Sequence, residues 1–273
     1  MADVVIQATN LSKELTSSLL RRKVRILSGL NLSVPKGETF GLIGPNGAGK
    51  TTAIKLMLGL LRPTEGKVEI LGRPAGDKRA LAQIGYLPEN PYFYSHLTGR
   101  EFLDFAGQLF GIDRKERSDR GKELIELVHL KDDADTPMRK YSKGMLQRLG
   151  IAQSLINRPA VVFWDEPMSG LDPIGRRDVR QILLTMKEKG ITIFFNSHLL
   201  PDVNEVCDRV GVMVKGKLIV QEEVKNISAS GNYKDLEDFF LEVVARAESG
   251  SFAKEEAETA SSPPSQSGKE AMP

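Results

Sequence analysis

Short apolar runs rich in β-branched residues recur along the chain, and helical patterns separate several of them. In chain order, these runs are VVIQ, ETFGLIG, KVEILG, IGYLPE, AVVFWDE, ITIFFNS and VGVMVKG. Continuous apolar strands such as residues 161–164 and 191–195 are typical of a parallel sheet that is covered on both faces. The runs before Gly72 have only short connections, which predicts an antiparallel portion near the N-terminus. The pattern therefore predicts an α/β fold.

The segment after these first runs has a helical pattern. Thr98 and Glu101 form a T-x-x-E capping box before FLDFAGQLF, and a second amphipathic stretch lies near GKELIELVHL. We therefore expect a mostly helical subdomain at about residues 91–155. Residues 233–244 form a further amphipathic helix, and its short, acidic sequence favours packing on the core over membrane attachment. Its apolar face consists of Leu236, Phe239, Phe240 and Val243.

The last part of the chain has a different composition. After Arg246 the residues are mainly Ala, Ser, Glu, Lys, Gly and Pro, with Phe252 as a single aromatic. Such a segment cannot bury enough apolar area to offset the entropy of ordering it. We therefore expect one ordered domain at residues 4–245 and a disordered tail at residues 246–273.

Composition and charge narrow the class of protein. The chain has 273 residues, of which 40% are hydrophobic and 27% charged, as in ordinary soluble globular proteins. The single cysteine, Cys207, cannot form an internal disulfide, and we expect it to be buried in a reducing compartment. No run of about 18 apolar residues and no signal-peptide pattern occurs, which predicts a cytosolic protein. The net charge of +2 neither favours nor excludes nucleic-acid binding.

The strongest chemical signal is GPNGAGKT at residues 44–51, which matches G-x-x-x-x-G-K-[ST] in full. It follows an apolar strand and opens the helix TTAIKLMLGLL, the context in which such a loop binds phosphates rather than merely turning the chain. Lys50 would contact the β- and γ-phosphates, and the Thr51 hydroxyl would bind Mg²⁺. The predicted cradle consists of Gly44, Pro45, Asn46, Gly47, Ala48, Gly49, Lys50, Thr51 and Thr52.

Acidic residues and a histidine follow two other apolar strands. Asp165 ends the strand in AVVFWDEP and would be a second Mg²⁺ ligand, and Glu166 would polarise the attacking water. The alternative is a solvated strand end without a role in catalysis. His198 follows the strand in ITIFFNSHLL, at the edge where ligands bind in open α/β sheets, and is predicted to contact the γ-phosphate rather than to be structural. We expect Trp164 to pack in the core and not to stack on a base.

A second anion-binding helix start is predicted at YSKGM, residues 141–145. Ser142 can cap the following helix while its hydroxyl and the next N–H groups face a phosphate. A serine cap alone is a weak signal, but this one lies about twenty residues before the strand that ends in Asp-Glu-Pro. The spacing separates this chain from other proteins with a phosphate loop.

These motifs together resemble those of the nucleotide-binding subunit of an ABC transporter. GPNGAGKT is similar to the Walker A motif, YSKGM to the signature, VVFWDEP to Walker B, SGLD at residues 169–172 to the D-loop, and His198 to the switch histidine. Order and spacing agree over about residues 4–245. IGYLPEN, LTGREFLDFAGQLFG and LEDFFLEV further resemble cassettes of bacterial exporters whose membrane subunits are separate chains. The resemblance implies a P-loop NTPase core with a parallel sheet and a helical signature subdomain.

The resemblance implies ATP and Mg²⁺ as cofactors, and it assigns a role to each motif residue. The catalytic residues would be Glu166, His198 and Lys50, and the Mg²⁺ ligands would be Thr51, Asp165 and Glu89. Besides the phosphate loop, the nucleotide-binding residues would be Ser142, Lys143, Gly144, Met145 and Asp172.

The same resemblance implies partners. In this family two cassettes dimerise head to tail, so that each ATP lies between the Walker A of one subunit and the signature of the other. The second cassette would be an identical or a related subunit. An integral membrane permease subunit would dock on the helical insert beside Glu89, and hydrolysis would drive its conformational change, with export as the expected direction. The chain would then lie on the cytoplasmic face of the membrane, with no nucleic-acid partner.

The sequence departs from the family pattern at three places. The usual Leu-Ser-Gly-Gly-Gln signature reads Tyr-Ser-Lys-Gly-Met, so Lys143 adds a cation and Met145 lacks an amide. Glu89 stands where the Q-loop glutamine is usual. Leu15 stands where an aromatic residue generally stacks on adenine.

Two other functions are compatible with an ABC cassette. A soluble ATPase of DNA repair or translation typically has two cassettes in one chain or a long coiled coil within the cassette, and neither pattern is visible here. An ATPase that powers an envelope machine, such as a filament or secretion apparatus, without moving a substrate, is the main alternative to transport. The transported substrate cannot be inferred from this sequence.

Overall fold

The computed structural model describes residues 3–16 and 23–249. A four-stranded sheet near the N-terminus has the order β2-β1-β4-β5, and all of its pairs are antiparallel. A six-stranded sheet has the order β10-β9-β3-β8-β7-β6, in which only the outer pair of β9 and β10 is antiparallel. This arrangement confirms the predicted α/β fold with its antiparallel N-terminal portion.

The strands have the following bounds: β1 Val4–Thr16, β2 Lys23–Pro35, β3 Thr39–Ile43, β4 Glu65–Ile70, β5 Arg73–Pro74, β6 Ile84–Leu87, β7 Val161–Asp165, β8 Thr192–Ser197, β9 Arg209–Val214 and β10 Lys217–Glu223. The helices are α1 Lys50–Met57, α2 Lys78–Leu81, α3 Gly99–Leu109, α4 Arg114–Leu127, α5 Lys143–Ser154, α6 Pro173–Glu188, α7 Leu200–Val206, α8 Val224–Ala229 and α9 Leu236–Ser249. A 3₁₀ turn at Met138–Lys140 precedes α5.

The central strands of the six-stranded sheet are buried on both faces. Phe40, Phe163 and Phe194 pack together on the face toward the N-terminal sheet and α1, and the rings of Phe40 and Phe194 stack 5.5 Å apart. Trp164 and Phe195 point to the opposite face, toward α5 and α6. Because neighbouring residues of one strand alternate between two apolar layers, the strands read as continuous apolar runs in the sequence.

Trp164 is fully buried, as predicted, and its indole N–H donates a hydrogen bond of 3.0 Å to the Ser154 hydroxyl. This bond satisfies the polar atom of a side chain that otherwise packs among apolar groups. The predicted core position of Cys207 is also confirmed, because its side chain is buried. Both residues therefore have structural roles.

Some strands were not predicted from the sequence. The alternating pattern of β2 was missed because register shifts against β1 interrupt its two-residue period, and Gly29 adopts a φ of +60° within it. The short β5 and the outer strand β10 were also missed, since half-buried edge strands lack a continuous apolar run. These omissions leave the parallel core unchanged.

The last helix confirms the predicted packing on the core. Leu236, Phe239 and Val243 are buried, and Phe240 is half-buried. Helix α9 continues to Ser249, four residues beyond the end that the composition predicts for the ordered domain. The remainder of the predicted tail, residues 250–273, lies outside the described residues.

The parallel strands determine where the candidate site forms. The carboxyl ends of β3, β6, β7 and β8 meet at one edge of the sheet, because these strands run in the same direction. Their following segments contain the phosphate loop, Glu89, Asp165 with Glu166, and His198. Groups that are distant in sequence are thereby brought to one edge.

The capping box at the start of α3 gives a stability prediction. The Thr98 hydroxyl accepts a hydrogen bond of 3.2 Å from the Glu101 N–H, and the Glu101 carboxylate accepts one of 2.8 Å from the Thr98 N–H. Thr98→Ala should lower the free energy of unfolding by about 1 kcal/mol in urea denaturation. The matched control is Thr185→Ala in the interior of α6, for which we expect a change below about 0.5 kcal/mol. Equal losses in the two variants would contradict a capping role.

Candidate functional site

The phosphate loop at residues 44–49 joins β3 to α1 and depends on three glycines. Gly47 and Gly49 have φ angles of +78° and +102°, which residues with a side chain rarely adopt. A Cβ atom on Gly44 would collide with the Met213 carbonyl, and one on Gly49 would lie 2.9 Å from the Ile26 carbonyl. The loop therefore packs its backbone directly against β2 and β9 and leaves its other side open to a ligand.

Lys50 is the first residue of α1 and is only 6% exposed. Its ammonium donates hydrogen bonds to the carbonyls of Gly44 at 2.7 Å and Pro45 at 3.3 Å. Burial lowers the pKa of Lys50, while the Glu166 carboxylate, 3.9 Å away, opposes this shift. The loop thus holds a buried cation at its centre, which favours an anionic ligand.

The next residue, Thr51, connects the loop to β7. Its hydroxyl donates a hydrogen bond of 2.9 Å to Asp165, and the Asn196 amide donates one of 2.6 Å to the same carboxylate oxygen. Two adjacent oxygen ligands of an octahedral Mg²⁺ are about 3.0 Å apart when each lies about 2.1 Å from the ion. The spacing of Thr51 and Asp165 therefore fits Mg²⁺. Among the described residues, no group of three or more His, Cys, Asp or Glu side chains is placed to hold a metal ion.

Glu166 and His198 form a close pair. The Glu166 carboxylate lies 2.8 Å from Nδ1 of His198, and its backbone N–H donates a hydrogen bond of 2.7 Å to the Asn196 side chain. Glu166 has a φ of +51°, a left-handed conformation that costs free energy in a residue with a side chain. Burial raises the pKa of Glu166, and the neighbouring His198 and Lys50 oppose that shift. A buried carboxylate of raised basicity in a strained position is typical of catalytic sites.

The predicted groups line one cavity of about 610 Å³. Glu89 is exposed at its rim, and His198 also faces it. Asp165 and Gly44 lie behind the lining residues, in contact with Thr51 and Lys50. The full lining is Ile26, Asn46, Gly47, Ala48, Gly49, Lys50, Thr51, Thr52, Glu89, Glu166, Ser169 and His198.

The signature segment lies at a different cavity, of about 370 Å³. The Ser142 hydroxyl caps α5 by accepting a hydrogen bond of 3.2 Å from the Met145 N–H, as predicted. The Asp172 carboxylate similarly caps α6, accepting from the Gly175 N–H at 2.7 Å. The second cavity is lined by Ser142, Lys143, Gly144, Arg148, Gly170, Leu171, Asp172, Ile174, Gly175 and Asp178. Among the described residues none lines both cavities, so the structure does not bring Ser142 to the phosphate loop of its own chain.

Two residues of the signature cavity lie close together. The ammonium of Lys143 lies against the Cα of Gly170, so close that a Cβ atom at that position would collide with it. Gly170 also has a φ of +70°. Met145 does not line the cavity but is half-buried against the core. Of the signature residues, Ser142, Lys143 and Gly144 are therefore the ones available to a ligand.

Leu15, the residue expected near the base, lies exposed near the end of β1. Leu15 pairs with Val24 across the β1–β2 ladder, and both side chains are 46% exposed, but neither lines the cavity. Ile26 lines it instead. Ile26 and Asn196 are site residues that sequence reasoning missed. Asn196 lies two residues before His198 at a strand end, a position that could have revealed it.

Comparison with known proteins places this site in a family. The family model described as "ABC transporter" matches residues 27–169, which span the phosphate loop, the signature and Asp165. The chain belongs to this family. The predicted family and cassette fold are thereby confirmed.

The relatives of this cassette include proteins of bacteria. An uncharacterized ABC transporter ATP-binding protein of Synechocystis is 53% identical over 206 residues, which cover 75% of this chain and 58% of that protein. The bacitracin transport ATP-binding protein BcrA of Bacillus licheniformis is 39% identical over 218 residues, covering 79% of this chain and 68% of that protein. The match with a second cyanobacterial protein, from Nostoc, covers 65% of that protein. The cassette thus spans less than two thirds of the length of the two cyanobacterial relatives.

Solved structures of ABC cassettes have the same fold. The structure of an ATP-binding subunit of an ABC transporter superposes with a TM-score of 0.77 at 28% identity, covering 88% of this chain and 99% of that one. CbiO1 from Clostridium perfringens, described as part of the complex cbiONQ, superposes with a TM-score of 0.72 at 27% identity, covering 84% and 92%.

The buried carboxylate gives a pH-dependent stability prediction. Because burial raises the pKa of Glu166, its contribution to stability is present below its ordinary value of 4.5 and is lost as the pH rises through the folded-state pKa. Glutamine is neutral throughout and lacks this loss. Glu166→Gln should therefore raise the Tm of the nucleotide-free chain at about pH 8, with a smaller gain at about pH 5.

The matched control is Glu89→Gln, which changes an exposed carboxylate at the same cavity. Its Tm should equal that of the wild type at both pH values in differential scanning calorimetry. A Glu166→Gln variant that is less stable at about pH 8 would mean that the contacts of Glu166 with Lys50 and His198 outweigh its burial.

Proposed function

We propose that this chain is the ATP-hydrolysing subunit of an ABC transporter, in which two cassettes close head to tail around ATP and drive a separate membrane subunit. The observation that carries the proposal is the Glu166–His198 pair, 2.8 Å apart, in the same cavity as Lys50 and the phosphate loop. A base, a cation and a phosphate cradle that face one cavity suit hydrolysis of a triphosphate.

The phosphate loop and the acidic residues beside it would bind Mg-ATP. The backbone N–H groups of residues 46–49 and the positive end of α1 would bind the phosphates, with Lys50 at the β- and γ-phosphates. Thr51 and Asp165 would hold Mg²⁺, and Glu89, which lines the same cavity, would contact the ion directly or through water. The ion would supply charge neutralisation between the β- and γ-phosphates. Ile26 offers an aliphatic surface for the remainder of the nucleotide.

Hydrolysis would be an in-line attack of water on the γ-phosphate. Glu166 would accept a hydrogen bond from the attacking water, and the raised pKa of its carboxyl makes it a stronger base than an exposed glutamate. His198 would orient Glu166 and contact the γ-phosphate. Lys50 would stabilise the charge that develops on the transferred group, which is the largest catalytic effect in such sites.

The separation of the two cavities supports a head-to-tail dimer. Ser142, Lys143 and Gly144 present a helix N-terminus and a cation, yet they line a cavity separate from that of the phosphate loop of their own chain. A second cassette, identical or related, would place its triphosphate there. Ser169 lines the nucleotide cavity and Gly170 lines the signature cavity, so the D-loop connects the two halves of the interface. An isologous two-fold dimer then contains two equivalent composite sites.

An exposed aromatic surface supports a membrane partner. This surface consists of apolar side chains that follow Glu89 in the chain, or that lie on α3 or directly after it. Two of them, Tyr94 and Phe105, contact each other edge to face, with ring centroids 5.6 Å apart. Surfaces of this kind typically mark protein contacts. The exposed fractions are 99% for Tyr92, 53% for Tyr94, 37% for Phe105, 73% for Leu109 and 42% for Phe110. We infer that this docking surface binds an apolar cytoplasmic helix of the membrane subunit, beside the Mg²⁺ contact at Glu89.

This arrangement would place the chain on the inner face of the membrane. Within the described residues, no helix has the length and apolar character needed to span a bilayer. Membrane attachment would therefore depend on the docked subunit. Export is the proposed direction, from the resemblance of IGYLPEN, LTGREFLDFAGQLFG and LEDFFLEV to exporter cassettes. Relatives in Bacillus licheniformis and Enterococcus faecalis are named for bacitracin transport, without a direction.

Hydrolysis and dimerisation are tested together with Glu166→Gln. The variant keeps the phosphate loop and should bind Mg-ATP, but its turnover should fall by about 10²-fold or more because the amide is a poor base. ATP should therefore accumulate in a closed dimer, measured by light scattering and cross-linking. Lys50→Ala is the control, since it should bind ATP weakly and remain a monomer.

The possible outcomes separate the parts of the proposal. If Glu166→Gln hydrolyses ATP at the wild-type rate, the proposed role of Glu166 is wrong, but the composite site is not contradicted. A catalytically inactive variant that stays monomeric with saturating Mg-ATP, also in the presence of its co-expressed partners, would contradict the composite site.

The docking surface gives a separate prediction. Leu109→Glu should leave the basal ATPase rate of the isolated chain unchanged, because Leu109 is 73% exposed and remote from the nucleotide cavity. It should abolish binding to inverted vesicles that contain the natural membrane subunit, since burying an unpaired carboxylate is costly. Leu241→Glu on α9, where the leucine is 59% exposed, is the matched control and should bind as the wild type does. Equal binding by both variants in a sedimentation assay would contradict the assigned surface.

A further inference from the structure

Ion pairs connect three helices that each begin beside a predicted functional loop. Helix α5 follows the signature, α6 follows the D-loop, and α7 follows His198. Arg148 on α5 contacts Asp178 on α6 at 3.5 Å. Arg176 and Arg180, one turn apart on α6, both face Asp202 in the first turn of α7. The chain of ion pairs therefore spans the three helices.

Asp202 is unusual because it is a carboxylate only 3% exposed. Its Oδ1 accepts a hydrogen bond of 3.0 Å from Arg180, and the same guanidinium nitrogen donates to Glu205 at 2.8 Å. Its Oδ2 lies 3.9 Å from the guanidinium of Arg176. Within the described part of the chain, neither Asp202 Oδ2 nor Arg176 Nε has a hydrogen-bond partner. The contact of Oδ1 with Arg180 is thus a hydrogen bond, whereas Oδ2 has only a longer contact with the partly exposed side chain of Arg176.

Asp202 is buried, whereas the side chains of Arg176 and Arg180 are partly exposed. An ion pair with a buried member is weak evidence of a stabilising role. An apolar pair of similar volume is often equally stable or more stable, because each charge loses its hydration on burial. What an ion pair provides is a defined geometry, since hydrogen bonds to a guanidinium are directional. The position of Asp202 is therefore more informative than its contribution to stability.

That position is four residues beyond His198. Helix α7 has only seven residues and begins at Leu200, immediately after the turn in which the Leu199 N–H donates to the Ser197 hydroxyl at 3.0 Å. His198 is held by β8 on one side and by α7 on the other. A rotation of α7 would move His198 away from Glu166.

We propose that Asp202 is a positioning residue for hydrolysis, which acts by fixing α7 to α6 so that His198 faces Glu166. The inference rests on the proposed function of the nucleotide cavity. Helix α6 begins at the D-loop, which would contact the second cassette. When the two cassettes close, a displacement of α6 would be transmitted through Asp202 to α7 and from there to His198. The 3.9 Å contact between Asp202 and Arg176 would shorten in this movement.

The central test is Asp202→Asn in the full chain. The expected loss of kcat is about 10- to 100-fold, because a misplacement of about 1 Å in a catalytic group can cost about 10²-fold. The KM for ATP and the binding of Mg-ATP should change by less than about twofold, because the variant leaves the phosphate loop untouched. A merely structural role would not separate kcat from binding in this way.

Stability requires a second comparison. Asp202→Asn leaves two arginines facing a neutral group, so its Tm should fall. The triple variant Asp202→Asn/Arg176→Gln/Arg180→Gln removes both arginine charges that face position 202 and should recover Tm while kcat remains low. Arg176→Gln alone changes a partly exposed side chain, should fold normally, and should show a smaller loss of kcat.

A control ion pair is available in the helical subdomain. Arg117 on α4 contacts Asp104 on α3 at 2.8 Å, far along the chain from α7. Arg117→Gln should lower Tm without changing kcat. Recovery of kcat together with Tm in the triple variant would overturn the inference, as would a folded Asp202→Asn chain with the wild-type rate. A wild-type chain that hydrolyses no ATP would instead overturn the proposed function, and this inference with it.

Discussion

The structure depends on burying opposite charges next to one another at the carboxyl ends of parallel strands. Lys50, Asp165 and Glu166 are each less than 10% exposed, and each would be costly to bury without partners. The strands that position them are apolar on both faces, so the surrounding sheet cannot solvate these groups. Hydrogen bonds to loop carbonyls, Thr51 and Asn196 therefore replace water. A triphosphate that enters this cluster meets a cation and donors already held in place.

The sequence predicted this cluster because its members lie in short linear motifs whose spacing is set by one strand and one turn. The parallel order of the strands followed from continuous apolar runs, and the capping of α3 and α5 from single residues. Contacts between distant segments could not be predicted in this way. Ile26 reaches the cavity only because β2 packs against the phosphate loop. The role inferred for Asp202 depends on its contacts with α6. β2 itself was missed because its bulges interrupt the alternation.

The departures from the usual family motifs have different consequences in the structure. Glu89 is exposed at the cavity rim, where a carboxylate needs no internal partner and can approach an ion. Leu15 does not line the nucleotide cavity, whereas the aliphatic side chain of Ile26 does.

The contact between Lys143 and Gly170 has an evolutionary consequence. Gly170 is restricted twice, by its left-handed backbone and by the ammonium that lies against its Cα. Any larger residue at position 170 would require the side chain at position 143 to shorten or turn away. A smaller residue at 143 would remove the contact but not the restriction set by the backbone, so glycine should stay favoured at 170 in homologous sequences whatever residue stands at 143.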